Sequence, residues 1–414
     1  VVQPLPVQSM AVDFSESGQA LLTWKPTTDP LEPTAEPLGY VVYTRTGDEK
    51  ESFDQGVFVL ENKAEITLRE GIHYSFRVTA VNRGGESFPS ETVSLYKPPA
   101  GEEKGKILII NGFTRVSAPD SFASDDSLFA GFQDYSDHGV PYLADISYTG
   151  SQYEFRRKNR WADDDAPGFG ASHADWETKV IPGNTFDYPI IHGKSFARAG
   201  YSYVSSSLRA FTEDYPAYDA TDFFALDLIL GKQKQVHRGG TDNGTHAFKA
   251  FPQALQRKLT EYAQRGGNMI ITGAYVAREL WDETGKDTLS RRFAMETLKF
   301  RFRSGFGSKT GEIMVAPSPI TAFYRGTTLG NTTYSFRTGL NPYIYPVESP
   351  DALEPADEGA FTIFRYRDNR LSAGVAYRGD YRIVTLGFPL ETLETEEQQE
   401  RLVKECMDFF NTDK

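Results

Sequence analysis

Residues 68–90 read Leu68-Arg-Glu-Gly-Ile-His-Tyr74-Ser-Phe76-Arg-Val78-Thr-Ala80-Val-Asn82-Arg-Gly-Gly-Glu-Ser-Phe-Pro-Ser90, and this stretch decides the fold of the N-terminal part. Side chains from Tyr74 to Ala80 alternate between apolar and polar, which predicts a strand with one buried and one hydrated face. The Asn-Arg-Gly-Gly that follows is typical of a turn, because glycine adopts positive φ at no steric cost. Two further alternating segments, Ala20–Lys25 and Gly39–Tyr43, predict more strands upstream.

These segments resemble the strands of a fibronectin type III domain. Trp24 lies on the second predicted strand, and Tyr74, six residues after Leu68, takes the place of the tyrosine corner. The resemblance covers about the first quarter of the chain and implies an all-β sandwich over residues 1–97, with Trp24 and Tyr74 in its core. It also implies a spacer, since such modules of bacterial secreted proteins are rarely where the chemistry takes place.

Composition limits the possible partners. The chain has 414 residues, which suits two or three domains, and its net charge is −13. Acidic side chains outnumber basic ones both in residues 1–97 and in the remainder, so we expect neither nucleic acid nor an anionic membrane surface as a partner. No run approaches the roughly 18 apolar residues of a membrane span. Cys406 is the single cysteine, which excludes an internal disulfide.

The chain beyond the first domain has a different pattern. Residues 98–105 are rich in Pro, Gly and charge and predict a linker. Continuous apolar runs then predict buried parallel strands at Lys106–Asn111, Tyr201–Ser205, Phe223–Gly231 and Asn268–Gly273. A helical stripe over residues 252–266 lies between the last two, and this order of strand, helix and strand predicts a doubly wound sheet.

Other parts of the second domain are predicted as follows. Antiparallel strands are expected at residues 298–302, 311–315, 361–366 and 371–377, and a strand at 381–389 returns to the parallel sheet. A last helix is expected at about 394–410, with Cys406 on its buried side. Residues 112–190 form an insertion that is too long for a simple connection.

The helix-Gly-Gly-strand unit from Leu259 to Gly273, together with the late strand before a terminal helix, resembles the class I glutamine amidotransferase-like fold. The resemblance covers residues 106–414 and implies a three-layer, flavodoxin-like or Rossmann-like α/β domain. Active members of that family carry a cysteine on the turn after the strand, whereas this turn reads Gly273-Ala274-Tyr275. A Cys-His-Glu triad is therefore excluded, and there is no Gly-x-Ser-x-Gly motif for a serine nucleophile.

Three short segments of the chain resemble bacterial secreted proteins labelled xanthan lyase. The segments that carry this resemblance are residues 111–115, 148–153 and 184–193. In those proteins a fibronectin type III module precedes such an α/β domain. Xanthan-type lyases themselves are built on a helical toroid plus a β-sandwich, and this sequence does not offer the required succession of long helices.

Candidate ligand-binding residues follow the predicted parallel strands, because ligands of open parallel sheets bind beyond the carboxyl ends of the strands. Their amide, guanidinium and aromatic groups suit sugar hydroxyls and carboxylates. The alternative is the ordinary polarity of loop ends in a domain that has lost its activity. The candidates are Asn111, Arg115, Ser205, Gln233, Tyr275 and Arg278.

His192 and Asp187 are the candidate acid/base pair, since histidine titrates near neutral pH and a carboxylate can fix its tautomer. The alternative is that a histidine near the start of a helix is a structural hydrogen-bond donor. The two interpretations differ in where His192 lies. A cleft position beside Arg115 and Asp187 supports catalysis, and a position under the sheet does not.

Arg156 and Arg157 belong to a cationic and aromatic cluster, residues 154–161, that would suit an anionic polysaccharide. The alternative is that these cations pair with the neighbouring Asp163, Asp164 and Asp165 on a solvated loop. The three aspartates offer oxygen ligands for Ca²⁺ but lack the spacing of an EF-hand loop, so we assign neither metal nor cofactor.

Taken together, these features predict a secreted, periplasmic or cell-surface accessory region of a protein that acts on the bacterial cell envelope or on polysaccharide. Its partners would be acidic polysaccharide or peptidoglycan. The alternative is a hydrolase or lyase that acts on such polymers through His192 and the strand-end residues. We expect a modest, partly polar interface between the two domains, with no strand of residues 1–97 joining the large sheet.

Overall fold

The structure is a computed structural model of the chain. It describes residues 1–119, 121–123, 130–132, 136–147, 156–163, 168–169, 178–213, 222–238, 245–281, 287–316, 329–330 and 332–412. Within these ranges, no helix has the length and apolarity needed to cross a membrane.

The N-terminal part is a β-sandwich whose strands pair antiparallel. Its strands are β1 Gln8–Phe14, β2 Ala20–Lys25, β3 Gly39–Thr46, β4 Val57–Val59, β5 Lys63–Ile66, β6 His73–Asn82, β7 Gly85–Glu86 and β8 Val93–Tyr96.

The predicted core of this sandwich is confirmed. Trp24 is fully buried, and its ring meets that of Tyr40 edge-on at 5.3 Å. The hydroxyl of Tyr74 accepts the backbone N–H of Arg69 at 3.1 Å, which is the hydrogen bond of a tyrosine corner. The alternation from Tyr74 to Ala80 thus builds the interior, as the pattern predicts.

Beyond residue 97 the described chain is largely β structure with few helices. Its strands are β9 Lys106–Asn111, β10 Ser121–Ala123, β11 Ala130–Phe132, β12 Ala144–Asp145, β13 Ile181–Pro182, β14 Ser202–Ser207, β15 Ala225–Gly231, β16 Val236–Arg238, β17 Thr245–Ala247, β18 Asn268–Gly273, β19 Phe300–Ser304, β20 Glu312–Val315, β21 Tyr334–Ser335, β22 Ala352–Pro355, β23 Ala360–Tyr366, β24 Ser372–Arg378 and β25 Arg382–Leu386. Its helices are α1 Tyr188–Arg198, α2 Leu208–Thr212, α3 Gln253–Gln264, α4 Thr288–Phe293 and α5 Glu396–Asn411.

The predicted parallel strands are neighbours in one sheet, in the order β14-β9-β15-β18-β25. Antiparallel strands extend it from β25 through β24 and β23 to β20 and β21. β19 pairs separately with β22. The predicted change from parallel to antiparallel pairing near residue 300 is therefore present.

Both faces of the parallel strands are buried, which explains their continuous apolar runs. On one face, Ile109 and Val384 pack in a core with Phe196 of α1 and Phe409 of α5. On the other face, Leu108, Leu228 and Met269 pack in a core with residues of α3. The three-layer architecture predicted for this part stays a prediction.

The expectation that residues 1–97 lend no strand to the large sheet is wrong. β8 pairs antiparallel with β14 at Tyr96 and Tyr203, and β1 pairs with β14 at Ala11 and Ser206. β14 is the outermost of the parallel strands, so its free edge is covered by the edge strands of the sandwich. The boundary at residues 98–105 stays a prediction.

Candidate functional site

β9 and β15 are the neighbouring strands at which the strand order of the parallel sheet reverses. The chain leaves these neighbouring strands toward different partners, because β14 comes between them in sequence but lies outside β9 in the sheet. Ligands of open parallel sheets bind at such a point. Gln233, just past β15, joins the two sides: its Oε1 accepts the backbone N–H groups of Thr114 and Arg115, each at 2.9 Å.

A glycine lets the loops after β9 and β15 approach each other. Gly231, the last residue of β15, has a φ of 47°, a region that glycine tolerates better than other residues. A Cβ at this position would lie 2.3 Å from Cδ1 of Phe113, whose ring is fully buried. Any other residue would therefore displace the ring of Phe113 from its packed position.

A buried network of ion pairs lies where the chain leaves β9 and β15. Nη2 of Arg115 is 2.6 Å from Oδ2 of Asp137. Nζ of Lys232 is 3.3 Å from Oδ1 of Asp137 and 2.9 Å from Oε2 of Glu348. Arg115 and Lys232 are fully buried, so a ligand at the surface would contact neither cation.

The cations fix the protonation of the two acids. Burial alone would raise the pKa of Asp137, but Lys232, Arg115 and Lys234 hold it well below its usual range. Burial also opposes ionisation of Glu348, yet Lys232 and a hydrogen bond with His138 lower its pKa. Both carboxylates are therefore ionised, and each is paired with a buried cation.

His138 connects this network to a cavity. Its Nδ1 is 2.5 Å from Oε1 of Glu348, and the same oxygen accepts its backbone N–H at 3.0 Å. The side chain is 17% exposed and lines a cavity of about 450 Å³, together with Tyr142, Pro182 and Leu340. His138 is thus the point at which the buried charges reach the surface.

Tyr275 and Arg278 belong to the same end of the sheet. Nε of Arg278 donates to Oδ1 of Asp351 at 2.8 Å, and its guanidinium lies 4.3 Å from the ring centroid of Tyr275. Burial, reinforced by Asp137 and Glu348, raises the pKa of Tyr275 well above its ordinary value. Its buried hydroxyl has no hydrogen-bond partner among the described residues.

Asn111 and Ser205 lie at the junction with the sandwich instead of at a cavity. Nδ2 of Asn111 donates to Oε1 of Glu91 at 2.7 Å. Oγ of Ser205 accepts the backbone N–H of Ser94 at 2.6 Å. Both side chains are buried, and each binds a residue of the N-terminal part. These contacts are those of residues that hold the two parts together.

His192 is sealed under the sheet. It is fully buried on α1, and its ring nitrogens lie 2.6 Å from Oδ2 of Asp227 and 2.8 Å from Oε2 of Glu391. Burial alone would lower the pKa of His192, but the two carboxylates outweigh it and raise the pKa to about 10. The ring is therefore held as a cation that donates to both acids, and it lies at the position that does not support catalysis.

The predicted pairing of Asp187 with His192 is not formed. Asp187 precedes α1 and binds Arg45 of the sandwich instead, with Nη1 and Nη2 at 2.6 and 2.7 Å from its two carboxylate oxygens. The sequence showed only that Asp187 and His192 are close along the chain. Their contacts come from other elements, because α1 lies between the sandwich and the sheet.

The remaining candidates lie at the surface. Arg156 and Arg157 are exposed, as is Asp163. Asp164 and Asp165 lie outside the described residues, so the Ca²⁺ hypothesis concerns a segment of which only one acid is described. Among the described residues, no group of three or more His, Cys, Asp and Glu side chains is placed to hold a metal ion.

A second cavity of about 620 Å³ adjoins the first, since Pro182 lines both. It lies between the sandwich, which contributes Glu49 and Lys50, and the starts of α1 and α5. Tyr343 and Arg337 line it from the loop between β21 and β22. This cavity was not predicted, because its walls come from both domains.

Cys406 lies in surroundings that disfavour a thiolate. It is buried on α5, and burial, together with Glu405 and Asp227, raises the pKa of its thiol well above the ordinary value. Only the thiolate is reactive, so this environment disfavours thiol chemistry, and the inertness of Cys406 stays a prediction.

The comparisons with known proteins concern the N-terminal part. A model described as fibronectin type III domain matches residues 5–96. Similar solved structures include a human FNIII domain described as the fourth (24% identity, 25% of this chain and 87% of that chain, TM-score 0.22). Another is the FNIII domain of human fibronectin type III domain containing protein 3 (22% identity, 25% and 96%, TM-score 0.21). A crystal structure of domains from titin is also similar (26% identity, 22% and 30%, TM-score 0.19).

The family match shows that the chain begins with a fibronectin type III domain over residues 5–96. The chain matches no curated protein sequence. The amidotransferase-like fold and the xanthan lyase label stay predictions from sequence.

Proposed function

We propose that this chain is a binding region, without catalytic activity of its own, of a secreted protein that acts on the cell envelope or on polysaccharide. Its fibronectin type III domain is fixed to an amidotransferase-like, three-layer α/β domain that lacks the cysteine nucleophile. The order β14-β9-β15-β18-β25 and the two apolar faces of these strands support that fold.

The observation that carries this proposal is the buried network of ion pairs at the carboxyl ends of the parallel strands. Arg115 and Lys232 are fully buried and paired with Asp137 and Glu348. Charges that satisfy one another in this way are not available to stabilise a transition state, which needs donors aimed at the reacting atoms. The two adjoining cavities nevertheless offer a ligand a concave surface.

One observation favours the alternative, a hydrolase or lyase. His138 borders a cavity and has a carboxylate at 2.5 Å that orients its ring. Such a pair is the usual form of a general base, for hydrolysis or for elimination. In this alternative His138 takes the role that the sequence suggested for His192.

The experiment is to titrate the purified chain with acidic oligosaccharides and with muropeptides by calorimetry. The same mixtures are assayed for new reducing ends and for unsaturated products. We expect saturable binding and no turnover. Turnover that is lost in His138→Gln would establish the enzyme instead. The proposal would be overturned if no acidic oligosaccharide, uncharged oligosaccharide or muropeptide binds.

A second test asks whether Arg156 and Arg157 carry affinity for acidic polymers. Replacing both by Ala should weaken an anionic oligosaccharide more than a neutral one, and the difference should shrink with salt, because exposed charges are screened over about 8 Å at physiological ionic strength. The control is Arg198→Ala with Arg292→Ala, which removes two other exposed cations. Equal affinity of the two double variants would assign the cluster to a solvated loop.

A further inference from the structure

We propose that the second cavity binds an uncharged sugar ring, which stacks on Tyr343, and that the fibronectin type III domain forms one wall of this site. The inference rests on the proposed function and selects, among the sugars of envelope polymers, the uncharged pyranose units. It also gives the N-terminal domain a part in binding, in place of the role of a spacer.

An exposed aromatic ring borders the cavity and can serve as a stacking surface. Tyr343 is 75% exposed and borders the cavity. Its backbone is fixed, because Oδ1 of Asn341 accepts the N–H groups of Tyr343 and Ile344 at 2.9 and 3.0 Å. The guanidinium of Arg337 lies over the ring, 4.9 Å from its centroid. The ring is thus held in place while most of it faces solvent, as a stacking surface requires.

The cavity is large enough for a small molecule. Its volume is about 620 Å³, within the roughly 300–1,000 Å³ typical of small-molecule sites. Its apolar lining comes from Pro182, Pro342, Ile344 and Leu393. A pyranose ring has an apolar face of C–H groups and a rim of hydroxyls. It therefore suits a cavity with an exposed aromatic ring at its edge and polar walls.

The walls of the cavity carry both cations and carboxylates. Lys50 and Arg337 are the cations among the described lining residues. Carboxylates outnumber them: Glu49, Asp187, Glu391, Glu394 and Glu396. Most of these acids are already paired: Lys194 binds Glu49 and Glu396, Arg45 binds Asp187, and His192 binds Glu391. The walls therefore hold no excess of positive charge to compensate the carboxylate of an acidic sugar, whereas their polar groups can bind sugar hydroxyls. The walls therefore favour an uncharged ring.

Ion pairs across the domain junction hold the walls of the cavity in place. Nζ of Lys194 lies 2.9 Å from Oε2 of Glu49 and 2.9 Å from Oε1 of Glu396, so it links the sandwich to the start of α5. The bidentate pair of Arg45 with Asp187 links the sandwich to the start of α1. Because these links hold both walls before any ligand arrives, binding loses little conformational entropy.

The experiment measures the affinity of the full chain for chitotetraose and cellotetraose, which are uncharged, and for tetragalacturonate. We expect Tyr343→Ala to lower the affinity for chitotetraose or cellotetraose by about tenfold, which is the size expected for one aromatic contact. Tyr343→Phe should bind like the wild type. Phe306→Ala, which removes another exposed ring, should have no effect. Thermal unfolding of each variant verifies that the fold is retained.

The outcomes separate this inference from the proposed function. Uncharged sugar that binds equally to wild type and Tyr343→Ala would overturn the inference and leave the proposed function standing. Tetragalacturonate that binds better than the uncharged sugars, and loses affinity in Tyr343→Ala, would overturn the choice of an uncharged ring. If none of these ligands and no muropeptide binds, both the inference and the proposed function fail.

Discussion

Two histidines of this protein make nearly the same contact and lie in opposite surroundings. His192 has carboxylate oxygens at 2.6 and 2.8 Å and is fully buried under the sheet. His138 has one carboxylate oxygen at 2.5 Å and borders a cavity near the carboxyl ends of the parallel strands. A histidine beside a carboxylate is therefore no sign of chemistry by itself. Access to a cavity separates a structural ion pair from a group that can meet a ligand.

The charges around the two rings differ as well. Among the described residues, His192 is the one cation that pairs with Asp227 and Glu391, so this cluster depends on that ring. Glu348 beside His138 already has Lys232 at 2.9 Å. The first cluster should collapse without its histidine, and the second should not.

His192→Gln should therefore have the largest effect. Glutamine carries no charge, so Asp227 and Glu391 would be left as buried carboxylates without a cation. We expect a loss of about 3–5 kcal/mol in the free energy of unfolding at pH 7, the cost of breaking a buried ion pair from one side. Urea denaturation measures this loss, and a value near zero would contradict the comparison.

The pH dependence of the same variant tests the charge of the ring. The pKa of His192 is about 10 in the fold, against 6.5 in the unfolded chain. Its contribution to stability is then fully present below pH 6.5 and is lost as the pH rises toward 10. The difference in stability between wild type and His192→Gln should accordingly narrow between pH 7 and pH 10. A constant difference would mean that the ring is neutral.

The sequence predicted the buried strands because their patterns are local. The apolar run Lys106–Asn111 and the helical stripe that ends near Gln264 follow from residues close in sequence, and both elements are present. The sharing of strands between the domains was missed. An edge strand that is free in an isolated domain has the same pattern as one that is covered by a neighbour.

The site was predicted only in part. Arg115, Gln233, Tyr275 and Arg278 do meet at one end of the sheet, because all of them follow parallel strands. The acids that pair with them could not be predicted, since they lie far away in sequence in irregular loops: Asp137, Glu348 and Asp351. The only sequence signal for them was that buried cations require partners.

Glu91 differs from Asp227 and Glu391, because no cation among the described residues pairs with its carboxylate. Its oxygen accepts from the neutral amide of Asn111, and burial raises its pKa to about 7, against a smaller lowering by that hydrogen bond. The fold thus favours the protonated acid, so stability falls as the pH rises from 4.5 to about 7 and stays low above it. Glu91→Gln should remove this cost and stabilise the protein by on the order of 1–3 kcal/mol at pH 8.

Thermal unfolding at pH 8 and pH 5 measures this gain. The increase in Tm should be clear at pH 8 and small at pH 5, where Glu91 is already protonated in the fold. The control is Glu61→Gln, which neutralises a carboxylate that is 71% exposed and should change little at either pH. A destabilised Glu91→Gln protein would show that the ionised form of Glu91 is needed at the domain junction.

His138→Gln should have the smallest effect on stability and so completes the comparison. Glu348 keeps Lys232 and the backbone N–H of residue 138 as donors, and the amide of glutamine can replace the ring nitrogen. No buried charge is left without a partner, so we expect a change below about 1 kcal/mol in the free energy of unfolding at pH 7, as for most substitutions away from a buried charge. Urea denaturation beside His192→Gln measures both values under one set of conditions. A loss as large as that of His192→Gln would make His138 a second structural cation, and the cavity beside it would then offer a ligand only its apolar lining and its hydrogen-bonding groups.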